Sequence, residues 1–164
     1  MVYLSLGTNI GDKKRNLECA IEMIRQQIGD VVSQSAFLCT EPWGFESQNV
    51  FLNACVGVET ALTPTQLLNR CQKIERKMGR TRKSTIEKGD DGKMKAVYHD
   101  RIIDIDILLY DNRKVHTSRL TIPHPLMSQR RFVLEPLSEI AYDVKIPGTK
   151  MSVGEMLSTL PADS

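Results

Sequence analysis

Arg101-Ile102-Ile103-Asp104-Ile105-Asp106-Ile107-Leu108-Leu109 is the stretch on which the reading of this chain turns. Strict alternation makes it a β-strand, with Ile103, Ile105, Ile107 and Leu109 on one face and Asp104 and Asp106 on the other. The carboxylates then stand about 6.6–7 Å apart along the strand. A soluble protein more commonly puts Thr or Lys at such positions. Hard oxygen donors at this spacing suit Mg²⁺, which takes one or two protein carboxylates and fills its octahedron with water and phosphate oxygens. A half-exposed strand with a solvated acidic face is the other reading. Arg101 and the basic segment before it tip the balance toward a metal–phosphate site.

Outward from that strand, hydrophobic periodicity lays out the rest. Residues 2–6 predict a first strand, Gly7-Thr8-Asn9-Ile10-Gly11 a turn, and Asp12 an N-cap. Leu17, Ala20, Ile21, Ile24 and Ile28 follow at helical spacing, up to a stop at Gly29. Residues 31–38 predict a second strand and 39–49 a polar, aromatic loop. In a third strand, 50–59, Leu52, Ala54, Val56 and Val58 share one face while Phe51 and Asn53 point the other way. Thr63-Pro64-Thr65-Gln66 opens a helix with a Thr cap, a first-turn Pro and a Gln that closes a capping box. Its core stripe is Leu67, Cys71, Ile74 and Met78, and Gly79 ends it. Residues 80–100 are charged and aperiodic, which predicts a functional lid or a disordered insert.

After the carboxylate strand, Asp111-Asn112 turns into Lys114-Val115-His116. A short helical piece over 132–140 and a last helix opened by Ser152-x-x-Glu155 complete the chain. The order strand, helix, strand, strand, helix, strand is the ferredoxin-like pattern. The expected fold is therefore α/β (α+β), an antiparallel sheet with helices packed on one face and long mobile loops, in a single domain over 1–164.

Composition narrows the function. The chain has 164 residues, 41% apolar and 26% charged, with a net charge of +2. That balance gives no global field for nucleic acid or membrane, so any anion site is local. Cys19, Cys39, Cys55 and Cys71 lack the spacing of a zinc site and read as buried free thiols of a reducing compartment. The opening apolar run is too short for a signal peptide, and no run approaches membrane-spanning length. The expectation is a cytoplasmic monomer.

Four further groups could carry chemistry. Arg80, Arg82, Lys83, Arg101, Arg119, Arg130 and Arg131 supply charge of the kind that neutralises a polyphosphate, which arginine grips bidentately. Leu68, Gln72 and Glu75 form a stripe beside the core stripe of their helix, Leu68 placed to pack on a flat base and the other two to read its edge. An ordinary amphipathic boundary would look the same. Pro123-His124-Pro125 fixes one histidine between two rigid residues. Phe51, Asn53, Trp43 and Phe132 are candidates for an aromatic pocket with an amide handle. Gly7-Thr8-Asn9-Ile10-Gly11-Asp12-Lys13 lacks the spacing and the ending of a phosphate loop, and Asn9 is left as a support of the pocket.

Together, Ser5-Leu6-Gly7-Thr8-Asn9-Ile10-Gly11, Phe51-Leu52-Asn53, Glu75, Gly79-Arg80-x-Arg82, Arg101-x-x-Asp104-Ile105-Asp106 and Pro123-His124 resemble the 6-hydroxymethyl-7,8-dihydropterin pyrophosphokinase family of folate biosynthesis, nearly end to end and in the same order. The resemblance implies transfer of pyrophosphate from ATP to the reduced pterin, release of AMP, and two Mg²⁺ ions. It implies Asp104 and Asp106 as metal ligands, Arg82 and Arg101 as phosphate clamps, and Arg80 on a closing loop. It implies a nucleotide site of Leu68, Gln72, Glu75, Arg82, Arg101, Ile107, Arg119, Thr121, His124 and Arg130. The pterin slot would use Thr40, Pro42, Trp43, Phe51, Asn53, Asp104 and Phe132. Tyr98, His99-Asp100, Phe51 and Pro125 depart from residues common in that family.

Two rivals stay open on sequence. A non-catalytic ferredoxin-like RNA- or nucleotide-binding module would bind without turnover and without Mg²⁺. Strand carboxylates argue against it, because they repel a phosphate backbone that no metal bridges. An Asp-x-Asp sugar-nucleotide transferase is the other, with little room in one small domain for its donor fold.

Overall fold

The computed structural model describes residues 1–40, 50–79, 85–88, 94–97 and 102–161. Strand β1 (Val2–Thr8) leads through a turn into helix α1 (Lys13–Gln27). Gly11 takes the left-handed φ of +73° that this turn demands. The Asp12 side chain accepts from the Arg15 N–H and caps α1 as its sequence predicts. The second predicted strand is two pieces, β2 (Asp30–Gln34) and β3 (Leu38–Thr40), both paired with β4 (Phe51–Glu59). The break between them is pinned: the Ser35 hydroxyl accepts from Cys55 N–H, and Glu139 accepts from Ala36 N–H. Helix α2 (Pro64–Lys77) begins with the complete Thr63/Gln66 capping box.

Where sequence predicted an aperiodic stretch, two short strands, β5 (Thr85–Lys88) and β6 (Met94–Val97), pair antiparallel as a hairpin. Strand β7 (Asp104–Tyr110) carries the carboxylates, and β8 (Val115–His116) pairs with β9 (Thr121–Ile122). Helix α3 (Arg131–Ala141) and helix α4 (Val153–Ser158) close the chain, α4 behind its Ser152/Glu155 capping box.

The main sheet runs β2-β4-β1-β7, all antiparallel, with β3 also on β4. This is the ferredoxin-like order read from the element pattern. Helices α1 and α2 cover one face over a core that includes Leu4, Leu6, Ala54, Val56, Val58, Ile103, Ile105 and Ile107. The expectation of helices on one face alone is incomplete. α3 and α4 form a second layer on the opposite face, packing Val133, Leu137 and Val153 over Cys55, Leu108 and Leu109.

Leu109 is also reassigned. The register slips between Tyr3 and Leu4, so Leu4 pairs with Ile107 and Tyr3 with Leu109. Leu108 is the extra residue of a β-bulge, and beyond it the side-chain parity reverses, which brings Leu109 to the second core. Of the cysteines, Cys55 and Cys71 are buried as predicted, whereas Cys19 and Cys39 are exposed; all four are free thiols.

Candidate functional site

Register builds the site. Gly7 stands opposite Asp104 and Ser5 opposite Asp106 on one side of β1; on its other side Gly7 faces Asn53 and Ser5 faces Cys55. Directly opposed residues share a face. Two rows therefore cross the sheet, Asp104–Gly7–Asn53 and Asp106–Ser5–Cys55, and β3 extends the first with Leu38. α3 and α4 bury the Cys55 end of this face, while Asp104 and Asp106 remain half-buried. The middle position of each row is small, which lets the Asn53 amide lie close over β1. A Cβ on Gly7 would lie 3.0 Å from Asn53 Oδ1 and 3.9 Å from Phe51 Cδ1. Asn53 is only 5% exposed and donates through Nδ2 to Thr40 Oγ1 at 2.7 Å. Thr40, Phe51 and Asn53, three of the proposed pterin contacts, are thus one neighbourhood.

β7 is the last strand of the sheet, and two of the other candidates, Glu75 and His124, stand at its outer edge. The Ile105 N–H donates to Glu75 Oε2 at 2.9 Å, and the His124 N–H donates to the Leu108 carbonyl at 3.0 Å. The second bond seats the Pro123-His124 turn beside β7. The Leu126 N–H donates to His124 Nδ1 at 3.2 Å, which leaves Nε2 as the protonated nitrogen of the neutral ring. Arg119 reaches from the β8–β9 hairpin to α2, where its Nη2 donates to Asn69 Oδ1 at 2.9 Å and to Gln72 Oε1 at 3.3 Å. Gln72 and Arg119 therefore meet, with half-buried Leu68 on the same helix packed against the main core. Arg130 stacks its guanidinium 5.5 Å from the centroid of Phe132, which joins a nucleotide candidate to a pterin candidate.

Several expectations change here. Ile107 is 4% exposed in the main core, so only its backbone can meet a ligand. Glu75 is 3% exposed and points at the edge of β7 rather than standing on a surface stripe. Arg131 is spent on the Leu160 and Pro161 carbonyls and is withdrawn from the phosphate-facing set. Asn69 was not read from sequence; its one signal is a position one turn before Gln72 on the same helix face. Pro42, Trp43, Arg80, Arg82, Lys83 and Arg101 lie outside the described residues.

The donor set suits a hard cation. Asp104 and Asp106 offer only oxygen, and among the described residues no group of three or more His, Cys, Asp or Glu side chains could hold a metal by itself. A closed zinc site needs such a group, whereas Mg²⁺ takes its other ligands from water and phosphate. Cys55, beside Ser5, is no nucleophile: burial drives its thiol pKa far above the ordinary range, against a smaller lowering by the Ser5 hydrogen bond. No helix among the described residues is long and apolar enough to cross a membrane.

Comparison with known proteins bears on this site. A family model described as 7,8-dihydro-6-hydroxymethylpterin-pyrophosphokinase (HPPK) matches residues 3–142. A 2-amino-4-hydroxy-6-hydroxymethyldihydropteridine pyrophosphokinase of Porphyromonas gingivalis strain W83 is 48% identical over 142 residues, 86% of this chain and 90% of that protein. The enzyme of the same name from Bacillus subtilis strain 168 is 37% identical over 150 residues, 91% of this chain and 83% of that one. The wild-type HPPK-DHPS of Plasmodium falciparum, solved with pteroate, superposes with a TM-score of 0.74 at 15% identity and shares the fold. That likeness covers 96% of this chain but 43% of the Plasmodium chain.

Proposed function

The chain belongs to the 7,8-dihydro-6-hydroxymethylpterin-pyrophosphokinase family, and on that premise we propose how its residues share the work of pyrophosphoryl transfer. The enzyme transfers pyrophosphate from ATP to the hydroxymethyl group of 6-hydroxymethyl-7,8-dihydropterin in folate biosynthesis, giving the pterin diphosphate and AMP. The pterin hydroxyl oxygen attacks the β-phosphorus. The bond from that phosphorus to the oxygen bridging the α-phosphorus breaks, AMP leaves with that oxygen, and the hydroxyl proton passes to solvent or to Asp106.

The observation that carries the assignment of roles is the pair of rows across β7, β1 and β4. They put two carboxylates at one end, an amide at the other, and glycine and serine between. In this reading Asp104 and Asp106 hold Mg²⁺, two ions as the family resemblance implies. When bound, the metal neutralises phosphate charge and polarises the phosphoryl oxygens. Asn53, fixed by Thr40, hydrogen-bonds the pterin edge, while Phe51 and Phe132 supply flat apolar surface for the ring, with Pro42 and Trp43 as further contacts. Gln72 and Arg119 bind the nucleotide from α2 and the β8–β9 hairpin, with Leu68, Thr121, His124 and Arg130 around them. Arg80, Arg82 and Arg101 grip the phosphates.

No protein nucleophile is needed, since phosphoryl transfer rests on positioning and electrostatics. The enzyme is proposed to act as a monomer, because one chain carries the whole candidate set, and in the cytoplasm, where ATP and Mg²⁺ are abundant.

The test is purified protein with ATP, Mg²⁺ and the reduced pterin, scored for AMP against ADP. AMP is expected. Asp106→Ala should then lower turnover about 100- to 1,000-fold with the fold intact, the size of a lost charge-stabilising centre. Near-normal turnover in Asp106→Ala overturns the metal assignment.

A further inference from the structure

A strand at the edge of a sheet has outward N–H groups that no neighbouring strand takes up. On β7 the one that matters lies between the carboxylates, because the amide of Ile105 belongs to the peptide that joins it to Asp104. Glu75 fills that vacancy from α2, accepting the Ile105 N–H at 2.9 Å from a position only 3% exposed. Two α2 neighbours, Cys71 and Ile74, are core residues, so the helix is locked against the sheet at this level. A buried carboxyl group is costly to desolvate, and a leucine would fill this boundary between helix and strand more cheaply. What the carboxylate adds is direction. It fixes the plane of the peptide between Asp104 and Ile105, and with it the bearing of the carbon chains on either side.

Resting on the metal reading above, we infer that Glu75 is a positioning residue for the metal-binding pair: by holding the Ile105 N–H it sets the separation and aim of Asp104 and Asp106. The contact that carries this role is the one to the strand backbone. The inference makes α2 a two-part element. Its middle, at Asn69 and Gln72, orients Arg119, and its C-terminal half, at Glu75, orients the carboxylate strand. Hydrogen-bond partners that orient metal-ligating groups are typically worth about 10- to 100-fold in metal affinity or activity.

The experiment compares wild type, Glu75→Leu and Glu75→Gln. Ile105 is followed by its amide proton and nitrogen resonances, and Mg²⁺ is titrated calorimetrically at a fixed concentration of a nonhydrolysable ATP analogue. Glutamine keeps an accepting oxygen, leucine none. In wild type and Glu75→Gln the Ile105 amide should be protected from exchange, and in Glu75→Leu exposed. The Mg²⁺ concentration for half-saturation should rise about tenfold or more in Glu75→Leu and stay within about threefold of wild type in Glu75→Gln. Should Glu75→Leu not fold, Glu75→Ala, which removes the acceptor without added bulk, takes its place.

Unchanged Mg²⁺ half-saturation in the variant that has lost Ile105 protection overturns the inference. So does a defect confined to nucleotide affinity at saturating Mg²⁺, which would make Glu75 a base contact. Asp106→Ala run beside them separates the two levels: if it titrates Mg²⁺ as wild type does, the metal reading itself has failed, and if it alone loses Mg²⁺, only the role of Glu75 has.

Discussion

Adding one methyl group at Gly7 probes the close approach of the Asn53 amide to β1. The backbone of Gly7 is ordinary strand, so Ala meets no conformational barrier there, and the strand itself should gain about 0.5–1 kcal/mol from the lost glycine entropy. The steric side is different. The new Cβ would lie 3.0 Å from Asn53 Oδ1, several tenths of an ångström inside a comfortable carbon–oxygen contact, so the amide must move. Its freedom is small, because Nδ2 is held to Thr40 Oγ1 at 2.7 Å and the residue is buried. Shifting the amide lengthens that bond and turns the edge meant for the pterin. Disturbing a buried hydrogen bond costs about 1–2 kcal/mol, equivalent to about 5- to 30-fold in affinity. Gly7→Ala is therefore expected to raise KM for the reduced pterin by that factor, with KM for ATP within about twofold of wild type and stability within about 1 kcal/mol. Steady-state kinetics with each substrate varied in turn, alongside thermal unfolding, makes the check. An unchanged pterin KM, or an equal rise for ATP, would show that Asn53 and Gly7 do not line the pterin slot.

Asn69→Ala should release one of the two α2 acceptors of Arg119 and raise KM for ATP about three- to tenfold with pterin KM unaltered; identical ATP kinetics would remove Arg119 from the nucleotide site. A thiol reagent at neutral pH should label Cys19 and Cys39 quickly and reach Cys55 and Cys71 only on unfolding, since the last two are buried and the Cys55 thiol is held protonated. Rapid modification of four thiols in the native protein, counted by mass spectrometry, would contradict the second helical layer over Cys55.

What the amino-acid sequence determined by itself was everything carried by local chemistry. The alternation around Asp104 and Asp106, the caps at Asp12, Thr63 and Ser152, and the element order that specifies the β2-β4-β1-β7 sheet all rest on neighbours a few residues apart. Asp104 and Asp106 were legible as candidates for the same reason, as carboxylates out of keeping with an apolar strand, whereas Arg119 was legible only as one of a basic set and Asn53 as an amide grouped with aromatics. The tertiary structure alone decided which of them stand together. Gly7 between Asp104 and Asn53, and Ser5 between Asp106 and Cys55, are consequences of register, which packing sets between strands far apart in the chain. The bulge at Leu108 reversed the parity of Leu109 for that reason too, since an extra residue is visible only against its partner strand. Glu75 turned from a surface stripe to the backbone of β7 because α2 lies along a sheet edge with an open N–H, and helical periodicity carries no information about what faces a helix.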